Sequence, residues 1–285
     1  MVVIAVLFAV LGAVSNAAGT AFQRKAASTV PGRSGVRLLL VLMRRPAWAV
    51  GIAGVAGAAV FQALALVNGP MALVQPLFML ELPFALLIAV PLMHRRPSPE
   101  GWRTIAVVVA GLALLLASAA PSGGRQQASM QRWIPVLALT LGAIAVTVLL
   151  VRSSSSPLFR AAALATGAAI GNALTAALMK SATGRLADDG LAAFLTAWQT
   201  YGFAVTGIAA LLLLENSLQA GPLVASQPAL TIGDAAVSLL LGVTLFDESV
   251  RTGWWLLPEV AGAGLILWGV TRLTRVVPHL VDVMQ

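Results

Sequence analysis

Long apolar stretches of about twenty residues alternate with short polar segments along the whole chain. A helix needs about 20 apolar residues to cross the hydrocarbon of a membrane. Because lipid offers no hydrogen bonds to the backbone, each stretch is expected to be helical. The pattern therefore predicts an all-α fold, a polytopic membrane helix bundle with about nine spans. We place them at residues 2–22, 46–67, 71–93, 101–119, 133–151, 157–180, 191–215, 222–246 and 252–272.

The composition agrees with a membrane bundle and argues against several classes of function. Of 285 residues, 59% are hydrophobic and 10% charged, too few charges to cover a water-soluble domain of this size. The net charge of +8 lies in the gaps between spans, which suits lipid headgroups and argues against nucleic acid as a partner. The chain has no cysteine, two histidines, no phosphate-binding loop and no nucleophile–base grouping. We expect no enzyme activity, no cofactor and no ATP drive, and leave a metal site undetermined.

The Lys and Arg residues predict the orientation. Thirteen of the 18 fall on the side of the 1–2, 3–4, 5–6 and 7–8 loops and the C-terminus, and five on the other side. Positive loops stay in the cytoplasm, so the N-terminus is expected outside the cytoplasmic membrane and the C-terminus inside. The stretch 36–43, flanked by arginines, is interpreted as a short interfacial helix. Tryptophans near span ends, Trp133 among them, are interpreted as an aromatic belt.

The chain repeats itself at one offset. LGAVSNAAGTAFQRKAA (11–27) aligns with TGAAIGNALTAALMKSA (166–182), and NGPMALVQPLF (68–78) with AGPLVASQPAL (220–230). Gly101-Trp102 and AGLALL (110–115) recur as Gly253-Trp254 and AGLILW (263–268). The offsets are all 152–156 residues, and a collinear series of this kind is not expected from composition bias.

The repeat equates spans 1–4 with spans 6–9. Five spans separate equivalent helices, an odd number, so the two copies are predicted to be inverted in the membrane. Inverted repeats are typical of secondary transporters, with a site near the midplane. The expected organisation is a first four-helix repeat at 1–120, linking loops and a fifth span at 121–156, and a second, inverted repeat at 157–285.

Several motifs of the chain resemble those of a known family. Leu245-Phe246-Asp247-Glu248, followed by Gly253 and AGLILWGV (263–270), is similar to the closing signature of EamA-type domains of the drug/metabolite transporter (DMT) superfamily. Nine spans, NGPMALVQPL (68–77), and Asn16 before Gln23-Arg24-Lys25 resemble the NIPA-type magnesium transporter branch. The resemblance implies a transporter fold and a metabolite, drug or divalent cation such as Mg²⁺ as substrate. The first half departs from the acidic signature, with His94-Arg95-Arg96 at that place.

Two carboxylates lie near the middle of their spans and at nearly equivalent repeat positions, Glu81 and Asp234. A carboxylate at that depth costs about 2.5–3.5 kcal/mol on insertion scales, so it normally faces the bundle interior. We expect the pair to handle a cation or a proton; the alternative is helix–helix hydrogen bonding.

Symmetric polar residues and prolines extend the candidate site. Gln75-Pro76 and Gln227-Pro228 are expected to break or bend spans 3 and 8, with the amides lining a polar site or packing. Asn16 and Asn172 are also symmetric, with interhelical hydrogen bonding as the alternative role. Glu259 follows Pro258, so a carboxylate beside a kinked turn is expected there, or a kink alone.

The sequence therefore favours a secondary transporter of a small polar or cationic solute. Two alternatives stay open: a lipid flippase or lipid-binding component, and an accessory subunit of a membrane enzyme complex. The expected partners are a small-molecule or cation substrate and membrane lipid, with a homodimer left open.

Overall fold

The computed structural model describes residues 2–28, 45–92 and 99–276. Within these ranges nine helices are long and apolar enough to cross a membrane, with Met71–Ile88 counted as one span. The predicted all-α polytopic bundle is therefore confirmed at this level. The interfacial helix predicted at 36–43 lies outside the described residues.

The first part of the bundle contains five helical segments. They are α1 (Val2–Ser28), α2 (Pro46–Asn68), α3 (Met71–Phe78), α4 (Glu81–Leu92) and α5 (Pro99–Ala119). Helix α1 packs along α2 and also contacts α3 and α4. Glycine permits the α1–α2 contact, since a Cβ at Gly54 would lie 2.8 Å from the Cα of Gly19. Tight packing of this glycine stripe agrees with small residues letting helix backbones approach.

The second part contains five helices and a pair of two-residue strands. The helices are α6 (Met130–Ser153), α7 (Pro157–Thr196), α8 (Trp198–Ala220), α9 (Leu223–Phe246) and α10 (Leu256–Val276), with a 3₁₀ turn at Gly253–Trp255. Strand β1 (Ser122–Gly123) pairs antiparallel with β2 (Glu248–Ser249), Ser122 opposite Ser249. Helix α7 packs against α8, α9 and α6, α9 packs against α3, and α10 packs against α5.

Helix α7 is the centre of the bundle, and α6 lies at its periphery. In the most apolar stretch of each, 67% of α7 is buried against 6% of α6. We predicted a loop at 181–190, but α7 remains helical until Gly190, whose φ of 82° breaks it. Residues 181–189 are more polar than the preceding stretch but contain no proline, so the drop in hydropathy there marks the end of the apolar stretch and not the end of the helix.

One end of the bundle gathers several chain segments, and we call it the Glu248 end. It comprises residues 65–72, 119–133, 180–184 and 245–251. Backbone bonds join its loops, since the Arg125 N–H donates to the Phe246 carbonyl at 2.7 Å and the Arg251 N–H to that of Ala119 at 2.9 Å. The opposite end, called the Glu100 end, comprises residues 99–104, 152–161, 215–222 and 270–272.

Candidate functional site

A buried ion pair joins α7 to β2 at the Glu248 end. Lys180 is 1% exposed and Glu248 is 3% exposed. The Nζ of Lys180 lies 2.5 Å from Oε1 of Glu248. Lys180 also donates to the carbonyl of Gly69 at 3.4 Å, and it lies 4.9 Å from the centre of the Phe246 ring. A buried charge is tolerated when it is paired and hydrogen-bonded, and the charges of Lys180 and Glu248 meet both conditions.

The same carboxylate caps the N-terminus of α3. The N–H of Met71 donates to Oε1 at 2.6 Å, and the N–H of Ala72 donates to Oε2 at 2.9 Å. Pro70, at the N-cap of α3, provides no side-chain acceptor. A helix N-terminus carries free N–H donors and a partial positive charge, so it favours a carboxylate. Glu248 thus meets one full and one partial positive charge in a single buried place.

Two glycines make room for the Glu248 side chain. A Cβ at Gly242 on α9 would overlap Oε2 of Glu248, and one at Gly124 would lie 2.8 Å from its Cγ. The Gly242 position would also approach the Ala72 nitrogen to 3.5 Å. Helices α3 and α9 therefore come close together at the level of Ala72 and Gly242, with the carboxylate between them.

Aromatic rings from α6 and α8 pack next to Phe246, whose ring lies beside Lys180. Trp133 packs edge-on against Trp198, with ring centres 5.3 Å apart, and against Phe246 at 6.4 Å. Trp133 is 1% exposed, so its predicted place in an interfacial belt is wrong. It lies at the start of an apolar span, where belt residues occur, but its helix turns it toward Phe246 and the protein interior.

Polar contacts continue from the ion pair toward the surface. The amide of Gln126 donates to the carbonyl of Val67 at 2.8 Å, and Ser181 donates to Gln127 at 2.9 Å. Asp247 forms ion pairs with Arg132, at 2.5 Å, and with Arg125. The hydrogen bond from Arg132 and the nearby charge of Arg125 hold the pKa of the Asp247 carboxyl below its usual value.

The midspan carboxylates predicted from the repeat lie deeper in the bundle. Asp234 is the twelfth of the 24 residues of α9, and the hydroxyl of Ser238 donates to it at 3.2 Å. Glu81 is the first residue of α4, so its carboxylate lies in the first turn of a helix that starts within the span. The positive end of that helix favours a carboxylate. Their predicted role in transport stays a prediction.

Counting along the packed helices gives the depth of these groups. Helix α3 begins and helix α9 ends at the Glu248 end, so the two run in opposite directions from their contact at Ala72 and Gly242. At about 1.5 Å per residue, Asp234 lies about 12 Å and Glu81 about 14 Å beyond that contact. The predicted pair therefore shares one level, well separated from Glu248.

The predicted amides differ in burial. Gln75 is 5% exposed, and its Nε2 is buried with no hydrogen-bond partner among the described residues. Gln227, Asn16 and Asn172 are partly buried on α9, α1 and α7. A buried amide donor without a partner costs free energy, so Gln75 is the amide that most calls for a ligand or water.

The interruption of span 3 does not lie at Pro76. The chain stays helical through Pro76 and leaves the helix at Met79 and Leu80. This is one turn before Pro83, which has no N–H to give to the Met79 carbonyl; the Leu82 N–H uses that carbonyl instead. At the repeat offset of 152, Pro83 corresponds to Ala235. Helix α9 is accordingly continuous, and no break occurs at Pro228.

Pro258 lies near the start of α10, directly after the 3₁₀ turn Gly253–Trp255, and the kink predicted there stays a prediction. Pro258 is the third residue of α10, within its first turn, and Glu259 is the fourth. Nitrogens in the first turn of a helix have no intrahelical acceptor, so proline is tolerated there. Glu259 is partly buried, and its Oε2 has no hydrogen-bond partner within the described part of the chain.

Sequence reasoning missed the ion pair, although both of its residues carried a signal. Lys180 is one of the five basic residues that the charge count assigns to the outer side, and the repeat aligns it with Arg24. Glu248 was noted within the EamA-like signature but not as part of a site. Within residues 2–28, 45–92 and 99–276, no group of three or more His, Asp or Glu side chains is placed to hold a metal ion.

Comparisons with known proteins add one relative. The chain is 29% identical over 263 residues to a protein of Corynebacterium glutamicum described as uncharacterized, covering 88% of each chain. No family model matches the chain. No solved structure matches it.

Proposed function

We propose that this protein is a secondary transporter of the drug/metabolite type. It moves a small polar or cationic solute, such as a metabolite, a drug or a divalent cation like Mg²⁺, across the cytoplasmic membrane by alternating access. The N-terminus lies outside and the C-terminus inside, as the Lys and Arg distribution predicts.

The observation that carries the proposal is the agreement between the sequence repeat and the helix packing. Helix α1 packs on α2 as α7 packs on α8, and α1 packs on α4 as α7 packs on α9. Equivalent helices also meet, since α3 contacts α9 and α5 contacts α10. This pairing supports two inverted halves, 1–120 and 157–285, around an axis in the membrane plane, joined by the segment 121–156. Such halves form a central site that is exposed to one side at a time.

The chemistry of the proposed site is anionic. Glu81 and Asp234 share one level of the bundle, and two carboxylates inside a membrane favour a cation or a proton. Gln75 adds a buried amide donor, and Gln227, Asn16, Asn172 and Glu259 are further polar groups on the surrounding helices. The absent break at Pro228 means that the two halves contribute differently, with a helix start beside Glu81 and a continuous helix beside Asp234.

A solute search followed by uptake tests this function. Purified protein is screened by thermal shift against cations including Mg²⁺, amino acids, drugs and lipids, because a specific ligand raises the apparent stability. Uptake of each stabilising solute into proteoliposomes is then measured for the wild type, Glu81→Gln and Asp234→Asn. We expect uptake to fall at least tenfold in one or both variants.

The control is Glu215→Gln, which neutralises an exposed carboxylate on α8 and should leave uptake unchanged. Wild-type uptake in both midspan variants would remove Glu81 and Asp234 from the site. Movement of fluorescent lipid between leaflets, without uptake of any solute, would replace the proposal with a lipid flippase.

A further inference from the structure

The Glu248 carboxylate contacts two parts of the molecule that belong to different halves. Lys180 and Glu248 both lie within residues 157–285, whereas Met71 and Ala72 lie within residues 1–120. The ion pair with Lys180, at 2.5 Å, is therefore internal to the second half. The bonds from the two backbone N–H groups, at 2.6 and 2.9 Å, connect the halves.

We propose that Glu248 is a releasable latch that closes the transport pathway at the Glu248 end. Its bonds to the N-terminus of α3 break when the pathway opens at that end, and its ion pair with Lys180 persists. This inference rests on the proposed transport function, because alternating access requires a contact between the halves that opens and closes.

The chemistry of the two partners explains why the contact to α3 is the one that is released. If the carboxylate separated from Lys180, a buried charge would be left without its counter-ion, which is strongly unfavourable. Separation from α3 exposes backbone N–H groups of a helix N-terminus, and water can satisfy these. Lys180 thus keeps the carboxylate paired in both states, while α3 is free to move.

The latch lies between the predicted midspan site and the surface at the Glu248 end. Gly242, Ser238 and Asp234 follow at i, i−4 and i−8 on α9, so they share one face of that helix. Gly242 contacts the Glu248 carboxylate, and Ser238 donates to Asp234. The buried amide of Gln75, whose Nε2 has no partner in the part of the chain that the structure describes, lies one turn beyond Met71 on α3. Opening at the Glu248 end would expose these groups in order, from the latch to the midspan carboxylate.

The segment that carries Glu248 is tied to the linking segment. Strand β2 pairs with β1, and Asp247 binds Arg125 and Arg132, all between residues 121 and 132. Glu248 is therefore held in place by the linking segment, and we assign the opening motion to α3.

The test uses cysteine accessibility, since the chain has no cysteine of its own. Ser238→Cys places a thiol at a position with 0% exposure, one turn beyond Gly242. The protein is reconstituted in proteoliposomes, and the rate of labelling by a membrane-impermeant maleimide applied from the Glu248 end is measured. We expect slow labelling in this background and at least a tenfold faster rate with Glu248→Gln, because a neutral amide binds the α3 N-terminus more weakly.

A matched pair of variants removes one latch bond without altering any charge. Met71→Pro deletes the N–H that donates to Oε1, and proline is favourable at the first position of a helix. Met71→Ala loses the same side chain but keeps the N–H. We expect faster labelling with Met71→Pro than with Met71→Ala. Glu215→Gln, at an exposed carboxylate of the Glu100 end, should label like the background.

Equal labelling of Met71→Pro and Met71→Ala, together with background labelling of Glu248→Gln, would overturn the latch. The labelling needs no solute, so it decides this inference separately from the uptake assay. A protein that transports a solute but shows no change in labelling keeps the proposed function and loses the latch.

Discussion

The two ends of the bundle are connected in different ways. At the Glu248 end, a buried carboxylate binds a buried lysine and the N-terminus of α3. At the Glu100 end, Arg272 of α10 lies 3.9 Å from Glu100 of α5, and both side chains are about half exposed or more. The Ser217 hydroxyl of α8 donates there to the Ala161 carbonyl of α7 at 2.7 Å.

The difference shows at which end of the bundle the contacts cost more free energy to break. An exposed ion pair contributes about 0–1 kcal/mol, because water screens it and competes for both groups. A buried pair that loses one partner costs about 3–5 kcal/mol, because the remaining charge has no solvent. The contacts of Glu248 are therefore more costly to break than the exposed ion pair at the Glu100 end.

The largest effect is expected when the buried lysine is removed. Lys180→Met leaves Glu248 buried without a counter-ion and should destabilise the protein by about 3–5 kcal/mol. Thermal unfolding in detergent measures it. Adding Glu248→Gln should recover a large part of the loss, whereas Arg272→Gln at the other end should change the unfolding temperature little. Equal effects of Lys180→Met and Arg272→Gln would abolish the contrast between the ends.

Gly242 allows a sharper test of the same contact. Alanine normally stabilises a helix relative to glycine by about 0.5–1 kcal/mol. Gly242→Ala should instead destabilise, because its Cβ displaces a carboxylate held by three hydrogen bonds. Gly264→Ala on α10, with nothing within 4 Å of its Cβ, is the control and should stabilise. In a Glu248→Ala background, Gly242→Ala should also stabilise; persistence of the loss there would assign it to another neighbour.

At the Glu100 end a smaller effect is expected. Ser217 is 0% exposed and donates to a carbonyl of α7. Ser217→Ala should lower the stability by about 1 kcal/mol, the usual value of one such hydrogen bond. Asn216→Ala, one residue away and exposed, is the comparison, and its unfolding temperature should stay close to that of the wild type. A larger loss for Ser217→Ala than for Lys180→Met would reverse the order of the two ends.

The smallest effect concerns Asp247 and depends on pH. Its pKa is lowered in the folded protein, first by the hydrogen bond from Arg132. The stabilisation is therefore present above the unfolded pKa of about 3.9 and is lost as the pH falls through the lower folded value. Asp247→Asn should slightly lower the unfolding temperature at pH 7, and the difference should be smaller at pH 2. A constant difference at both pH values would mean that the ion pairs do not produce it.

The sequence was sufficient for the spans because lipid imposes one requirement, an apolar helix long enough to cross. It was insufficient where tertiary packing overrides composition. Trp133 has the sequence position of an interfacial residue and is buried, and residues 181–189 have the polarity of a loop and are helical. Neither outcome follows from local pattern, because each depends on which neighbours the helix meets.

The candidate site likewise contains residues that the sequence predicted and residues that it did not. The repeat predicted Glu81 and Asp234 as a pair, because both lie near the middle of their apolar spans and at nearly equivalent repeat positions. It could not identify the Lys180–Glu248 pair, whose members are 68 residues apart and meet through folding of α7 and β2. The break in span 3 lies one turn before Pro83, whose ring lacks an N–H, and not at Pro76; whether Pro76 and Pro228 bend their helices stays a prediction.

The part of α7 that extends beyond the ion pair can be used to measure the orientation of the protein in the membrane. From Lys180 to Asp189 the helix continues for about 14 Å beyond the ion pair, and at Gly190 a Cβ would meet nothing within 4 Å. A short epitope inserted after Gly190 would therefore sit in open space beside the Glu248 end. Antibody binding to intact cells would then read the orientation directly, and the positive-charge distribution predicts that the epitope is seen from outside.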